Sequence, residues 1–157
     1  MGFVSNGEIS KFSFEDAVLV KFERAMTTIW LTVDALIVKA NNSQNTNYTD
    51  SYADTAEITL SGTEIIALLK EGYSRYDADD KLIEEVPDEP VAPDEYHTVF
   101  KEIAGAYLAT FEYVDDEYVL EFEIPDEVGA IGDTYELHVK ASDITVTWDR
   151  YLNRVQR

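Results

Sequence analysis

The sequence contains no cysteine and only two histidines among its 157 residues. Without thiolates, neither disulfide bonds nor cysteine-ligated zinc sites can form, so packing alone must hold the fold together. The histidines, His97 and His138, are isolated in the sequence, and we expect neither a metal site nor a cofactor. The nucleophile-elbow, P-loop and dinucleotide-binding motifs are missing as well. No catalytic residue can be named, which favours a binding protein over an enzyme.

Long apolar runs are also missing. The longest aliphatic run, residues 35–38, is far too short to span a bilayer. The N-terminal residues contain no apolar stretch of signal-peptide length. The sequence therefore predicts a cytoplasmic protein without membrane contact. We expect a bacterial or phage origin, and the residues carry no resemblance to a known family.

Basic residues are scarce. The chain has 12 of them against 32 acidic residues, which gives a formal net charge of −20. A field of that sign disfavours nucleic acids and anionic membranes as partners and favours cationic ones. The expected partner is an unidentified protein or small-molecule ligand, and the oligomeric state is not indicated.

Alternation of apolar and polar residues is the dominant pattern and predicts β-strands. In the segment FEDAVLVKFER, the apolar face consists of Val18, Val20 and Phe22. The same period assigns inward faces to later segments. The predicted inward residues are Ile29, Leu31, Val33, Ala35, Ile37, Ala56, Ile58, Leu60, Tyr118, Leu120, Phe122, Ile124, Tyr135, Leu137, Val139, Ile144, Val146 and Trp148.

Two segments have a helical period instead. In SGTEIIALLKEG, residues 61–72, Ser61 and Glu64 have the spacing of a capping box, and Gly72 suits a helix end. The segment 93–105 starts with Pro93 and carries an apolar stripe. The predicted fold class is mainly β (α+β). It comprises an antiparallel curved sheet or partly closed barrel of about eight or nine strands, with two short helices.

The proline-rich segment PDEPVAP, residues 87–93, predicts an exposed connection within a single domain that covers residues 1–157. The alternative is two small sub-domains hinged at this segment. Two hairpin segments on either side of it align without a gap, a pattern that is typical of two related halves. Any two hairpins with equal loops would also share such a pattern. The matched pairs are Ala17/Ala106, Leu19/Leu108, Phe22/Phe111, Glu23/Glu112 and Leu31/Leu120.

A long polar segment, residues 41–54, separates two strand-like segments and is the first candidate for a binding site. We predict that it is structured, because short asparagine and aspartate side chains favour local turns and at least one tyrosine should pack. A non-enzymatic binding or protein-interaction module is therefore the favoured function. The candidate ligand-binding residues of this segment are Asn45, Asn47, Tyr48 and Tyr52.

Two other functions stay open. A small-molecule-binding barrel or an enzyme would use an interior site near Trp30, Asp34 and Trp148. Asp34 is predicted mid-strand opposite the apolar face, on the same side as Trp30, where it would line a cleft or a second buried face. An acidic decoy would bind a basic DNA-processing protein through carboxylates on the outer strand faces. The candidate carboxylates of that decoy are Glu112, Glu117, Glu121, Glu123 and Glu136.

Overall fold

The computed structural model describes residues 2–125 and 131–156. This part of the chain contains one α-helix, α1 (Tyr96–Glu102), and two 3-10 turns, Ile9–Lys11 and Pro93–Glu95. None of the described helices is long and apolar enough to cross a membrane. The strands are β1 (Phe3–Asn6), β2 (Phe12–Ser13), β3 (Val18–Ala25), β4 (Thr28–Asp34), β5 (Ile37–Val38), β6 (Ser51–Ala53), β7 (Ala56–Ser61), β8 (Glu64–Lys70), β9 (Tyr73–Tyr76), β10 (Leu82–Val86), β11 (Glu89–Pro90), β12 (Tyr107–Val114), β13 (Glu117–Pro125), β14 (Ile131–Lys140), β15 (Asp143–Trp148) and β16 (Tyr151–Arg154).

Ten of these strands form one antiparallel sheet in the order β1-β15-β7-β4-β3-β12-β13-β14-β8-β11. The mainly antiparallel β class is therefore confirmed. The end strands pair on one side only, β1 with β15 and β11 with β8, so the described strands form no closed barrel. The short strand β11 is unsuited to closure, because Pro90 has no amide hydrogen to donate to a further strand.

The first predicted helix is wrong. Residues 64–70 form strand β8, which pairs with β14 on one side and with β11 on the other. Long-range pairing satisfies the backbone of this segment on both edges and overrides its local helical period. The second predicted helix is confirmed as α1. The described chain thus has one α-helix and short 3-10 turns in place of two helices.

The ten-stranded sheet consists of two similar halves: a first half of β15, β7, β4 and β3, and a second half of β12, β13, β14 and β8. Their hairpins have equal registers, since Leu19 pairs with Val33 as Leu108 pairs with Phe122. In both hairpins the register shifts immediately after that leucine. The structure thus extends the sequence match to strand pairing, while common descent of the halves stays a prediction.

Each half takes one edge strand from the other part of the chain: β15 completes the first half and β8 completes the second. Strand β8 follows β7 but pairs with β14, whereas β15 follows β14 but pairs with β7. The two connections meet where the Ser142 amide donates a 2.8 Å hydrogen bond to the Ser61 carbonyl. Gly62 lies at this crossing with a φ of +62°. Each half is therefore completed by a strand from the other part of the chain.

The inward faces of the two halves contribute to one cluster of buried apolar side chains. Most of the inward residues predicted on β4, β7, β13, β14 and β15 are buried in it. Ala35, predicted as an inward strand residue, lies outside the strands. Its φ of +58° is not that of a strand, and it falls between the end of β4 and the start of β5. Strands β16, β6, β5 and β2 form a further four-stranded sheet, and β9 pairs with β10 alone.

Candidate functional site

A groove along strand β12 is the largest concave surface among the described cavities, with a volume of about 860 Å³. We call it the edge groove. One wall is the N-terminal segment before β3, and the other is β12. The lining residues are Gly7, Ile9, Ser10, Phe12, Phe14, Lys39, Ala109, Thr110, Phe111, Glu112, Tyr113, Val114 and Tyr118.

The groove exists because β3 and β12 diverge. Strand β12 pairs with β13 along its length, but it pairs with β3 at one position only, Val18 with Tyr107. Two backbone hydrogen bonds of 2.8 and 3.0 Å flank that pair. Beyond the register shift after Leu108, no described strand pairs with the outer edge of residues 109–114. The edge groove therefore lies beside backbone groups available to an added strand.

Aromatic side chains form the floor of the edge groove. The Phe14 ring stacks on the Phe111 ring with 5.4 Å between centroids, and the Tyr118 ring meets Phe111 edge-on at 6.0 Å. Tyr113 lies 4.8 Å from Tyr118 and keeps 55% of its surface exposed. Burial, with smaller effects of Tyr113 and Asp143, raises the pKa of Tyr118, so its phenol stays neutral at physiological pH. The floor is therefore apolar with hydroxyl groups at one side.

Two charged residues line the edge groove. Glu112 projects from β12 and is exposed, whereas the Lys39 ammonium donates a 3.2 Å hydrogen bond to the Ser10 carbonyl. Thr110, also on the lining, pairs across the sheet with Glu121 of β13. The outer side of the groove thus continues into an acidic surface.

That surface, the acidic face, consists of Glu71, Asp88, Glu121, Glu123 and Glu136. Glu121 and Glu136 are directly opposite each other in β13 and β14. Burial raises the pKa of Glu71, and so do the negative charges of Glu121, Glu136, Asp88 and Glu123. Burial and the neighbouring glutamates also raise the pKa of Glu121, although a hydrogen bond with Glu71 opposes this. The face therefore concentrates negative potential next to the edge groove.

His138 lies at one side of this face, with its ring nitrogens 3.2 Å from Glu117 Oε2 and 2.9 Å from Glu136 Oε1. The described residues include no group of three or more histidine and carboxylate side chains arranged to hold a metal ion. Of the five glutamates predicted for the decoy, Glu121, Glu123 and Glu136 belong to the acidic face. Glu117 contacts His138, and Glu112 lines the edge groove.

The acidic face should make stability depend on pH. We expect Glu121→Gln to raise the free energy of unfolding at pH 7. A raised pKa means that the folded state binds protons more readily than the unfolded chain, so this charge destabilises the fold above the folded pKa. The gain should shrink as the pH falls through that pKa towards 4.5, the ordinary value. Urea denaturation of the wild-type protein and the variant at pH 7 and at pH 4.5 measures this gain in the free energy of unfolding.

The matched control is Glu57→Gln, which removes an exposed carboxylate from strand β7 of the first half and should change stability little at either pH. If Glu121→Gln instead lowers stability at pH 7, the hydrogen bond between Glu71 and Glu121 outweighs the repulsion among the carboxylates.

The polar segment 41–54 has a defined conformation built by its asparagines. The Asn45 amide nitrogen lies 3.0, 3.1 and 2.9 Å from the carbonyls of Val38, Lys39 and Thr49. The Asn47 backbone amide donates to Asn45 Oδ1 at 2.8 Å. The Asn45 side chain therefore fixes the segment to its own backbone and to the two residues at the end of β5 and just after it.

The two tyrosines of this segment have different surroundings. Tyr48 is 92% exposed and has a φ of +59°. Tyr52 lies in β6, is half-buried and donates a hydrogen bond from its hydroxyl to Asp16. The structure thus places Tyr52 within the four-stranded sheet and leaves the Tyr48 ring in solvent.

The other predicted site residues do not converge. Asp34 lines a depression of about 550 Å³ together with Tyr52, and its carboxylate accepts a 2.8 Å hydrogen bond from Thr55. Trp30 is half-buried on β4, whereas Trp148 is buried in the core, stacked 5.5 Å from Phe3. Asp34 and Tyr52 therefore share one depression, and neither Trp30 nor Trp148 is among its lining residues.

The principal groove residues, Phe14, Phe111, Tyr113 and Tyr118, were not among the predicted site residues. The gapless match of the two hairpins marked Phe111 as equivalent to Phe22, but it gave no sign that an edge of β12 lacks a partner. That information depends on which strands become neighbours, and the bulge after Leu108 has no local sequence signal.

Fold and groove together define a mainly antiparallel β protein with an unpaired strand edge beside an aromatic cleft. No family model matches the chain, and no curated protein and no solved structure is significantly similar to it.

Proposed function

We propose that this protein is a protein-interaction module that binds an extended, cationic segment of another protein by adding it as a strand to β12. The observation that carries this proposal is the unpaired outer edge of residues 109–114 beside the edge groove. Strand addition uses backbone hydrogen bonds for affinity and alternate side chains for specificity.

The groove favours a particular pattern in the added segment. Side chains next to Phe111 would face the buried aromatic floor, which favours apolar residues. Side chains of the opposite face would lie beside Glu112, with Glu121 one strand further on, which favours lysine and arginine. The expected ligand therefore alternates apolar and basic residues over about six positions, or roughly 20 Å.

The acidic face supports a second candidate, in which a folded basic protein docks on the outer carboxylates without entering the edge groove. This is the acidic decoy in a broader form, and the negative potential of the five carboxylates supports it. The two candidates differ in whether the backbone of β12 acquires new hydrogen bonds.

Selection from a phage-displayed library of random peptides tests the first candidate. Selected peptides should alternate apolar and basic residues, and Glu112→Lys should weaken their binding at least about tenfold, because it puts a like charge beside the basic positions. Isothermal titration calorimetry with the synthetic peptides measures the change. Glu57→Lys, which changes the charge equally on an exposed part of the first half, should weaken binding less than about twofold.

Amide hydrogen exchange then decides how the peptide is bound. Strand addition should slow exchange within residues 109–114, because new backbone hydrogen bonds protect these amides. Binding without protection there would refute strand addition and would favour docking on the acidic face. Equal binding to the Glu112→Lys variant would refute the edge groove as the site.

A further inference from the structure

The hairpin of β9 and β10, residues 73–86, projects from the body of the protein. We call it the arm. Its strands pair with each other and with no other described strand. All of its residues are exposed except Glu84, which is half-buried. An isolated two-stranded hairpin is only marginally stable in water, so an exposed hairpin of this kind is a candidate for a binding element that is stabilised by a partner.

The arm is anchored in a defined direction. At its base, the Gly72 amide donates a 2.7 Å hydrogen bond to Asp88 Oδ1. A Cβ on Gly72 would lie 1.8 Å from the Val86 carbonyl oxygen, so the two ends of the arm are in close contact. Along the arm, Glu84 accepts hydrogen bonds from Tyr73 at 3.1 Å and from Arg75 at 3.0 Å. The arm is therefore a built element rather than a loose loop.

The surface of the arm combines apolar and acidic side chains. Three aspartates are concentrated at its tip, where Asp77 Oδ1 accepts hydrogen bonds from the backbone amides of Asp79 and Lys81. Exposed apolar side chains lie along both strands, and such patches mark interaction sites. The exposed apolar residues are Tyr73, Tyr76, Leu82, Ile83 and Val86. A matching partner surface would be apolar with a basic rim.

The chain itself carries a surface with these properties between β3 and α1, which we call the helix groove. Its volume is about 550 Å³. Phe22 and Phe100 stack in it with 4.2 Å between centroids. Met26 is 95% exposed at the β3–β4 turn, where its φ is +55°. The lining residues are Phe22, Glu23, Arg24, Met26, His97, Phe100 and Lys101.

The helix groove is basic in a strongly acidic protein. Neither Arg24 nor Lys101 takes part in any of the ion pairs found among the described residues. The carboxylate of Glu23 is paired with the Lys21 ammonium. Two cations without an acidic partner thus flank an apolar surface, although acidic residues outnumber basic ones 32 to 12.

We infer that the arm of one copy of this protein binds in the helix groove of a second copy. Apolar side chains of the arm would cover Phe22 and Met26, and the aspartates at its tip would lie near Arg24 and Lys101. Because the two surfaces differ, one contact between two copies leaves one arm and one groove free. Further contacts of the same kind either close a ring of two or more copies, in which every arm and groove is occupied, or extend a filament. It involves neither the edge groove nor strand addition.

The net charge sets the conditions for this association. Copies with a charge of −20 repel each other at long range, and this repulsion is screened at physiological ionic strength, where the Debye length is about 8 Å. Contacts between the acidic tip and the basic groove act at shorter distances. Association should therefore be weaker at very low ionic strength than at about 0.15 M salt.

Sedimentation velocity of the full chain over a range of concentrations tests the inference. The wild-type protein should associate, and an arm variant, Leu82→Ser with Ile83→Ser, should associate at least about tenfold more weakly. A groove variant, Arg24→Glu with Met26→Asp, should show the same loss. All four side chains are exposed, so circular dichroism should show unchanged folding.

Mixing the two variants gives the decisive result. The arm variant keeps an intact groove and the groove variant keeps an intact arm, so an equimolar mixture should form a one-to-one heterodimer and nothing larger. A mixture that stays monomeric would overturn the inference, since an intact arm and an intact groove on different copies would then fail to bind each other. The inference would also be overturned if the wild-type chain stayed monomeric up to about 0.5 mM, because the affinity would then be weaker than that of typical specific contacts.

Disulfide cross-linking gives a second test, because the chain has no cysteine of its own to compete with introduced ones. Copies carrying Ala78→Cys at the arm tip and copies carrying Met26→Cys should form a disulfide-linked heterodimer under mild oxidation. A mixture of copies carrying Ala78→Cys with copies carrying Glu57→Cys should not form this disulfide, because Glu57 lies outside the helix groove. Equal cross-linking in both mixtures would contradict the proposed contact.

Discussion

Replacing Phe122 by alanine should lower the free energy of unfolding by about 3–5 kcal/mol, the usual range for a buried phenylalanine. Phe122 lies on β13 of the second half and is 0% exposed. Its ring meets Phe22 of β3, in the first half, edge-on at 6.2 Å. The cavity left by the truncation would thus lie where the two halves contact each other, and rigid strands on both sides limit its collapse.

Two spectroscopic signals measured during urea denaturation of the Phe122→Ala variant also test whether the chain unfolds as a single domain. Both tryptophans, Trp30 and Trp148, lie on strands of the first half. If residues 1–157 form a single domain, tryptophan fluorescence and far-ultraviolet circular dichroism should shift together, although the substitution is in the second half. Leu152→Ala, at a side chain that is 59% exposed, is the control and should leave both signals nearly unchanged.

Transitions that separate, with tryptophan fluorescence at its wild-type midpoint, would contradict a single domain. That result would mean that the two halves of the sheet unfold independently. It would not fit sub-domains hinged at residues 87–93, because Trp148 and Phe122 both follow that segment. A coincident shift of less than about 1 kcal/mol would instead show that the site around Phe122 collapses to fill the cavity.

Replacing Gly62 by alanine should lower the free energy of unfolding by about 2–4 kcal/mol. The φ of +62° disfavours any side chain there by roughly 1–2 kcal/mol. The added Cβ would also lie 2.3 Å from Ser142 Oγ and 3.0 Å from Ser142 Cβ, so the Ser142 hydroxyl must rotate away and the connections must separate slightly, at a cost of about 1–3 kcal/mol. The effect thus reports how closely the two exchanged connections cross.

The chain contains a matched control for Gly62. Gly7 has a φ of +65°, and a Cβ placed on it would meet nothing within 4 Å. Gly7→Ala should therefore show the backbone cost alone, and the double variant Gly62→Ala with Ser142→Gly should recover the part that is due to the contact. Equal losses for Gly7→Ala and Gly62→Ala in urea denaturation would show that the crossing accommodates the extra methyl group.

The sequence predicts this fold where a pattern is local. Alternation correctly assigned Leu120, Leu137 and Val146 to the core, because the side chains of a strand point to opposite faces in turn. It failed at Val20, a predicted inward residue that is 45% exposed. The register shift between Leu19 and Lys21 reverses the alternation there, so Leu19 is buried instead. A bulge has no reliable sequence signal, and one extra residue exchanges the two faces.

Long-range neighbours explain the remaining failures. Residues 64–70 have a helical stripe, and only the presence of β14 and β11 on either side makes them a strand. The edge groove is a similar case, because the pattern of β12 indicates a strand but not which strands lie beside it, and residues 109–114 line the groove only because their outer edge has no partner among the described strands. By contrast, the polar segment 41–54 was predicted to be structured from its asparagines, whose hydrogen bonds act over a few residues.

The exchange of β8 and β15 has a consequence for synthesis on the ribosome. Strand β7 leaves the exit tunnel about 87 residues before β15, its eventual neighbour, and at about 5–20 residues per second this interval lasts roughly 4–17 s. During that time β8 also has no partner, since β14 belongs to the later part of the chain. Neither half can therefore be completed before β14 and β15 have left the tunnel, and until then two unpaired strand edges stay open to other nascent chains.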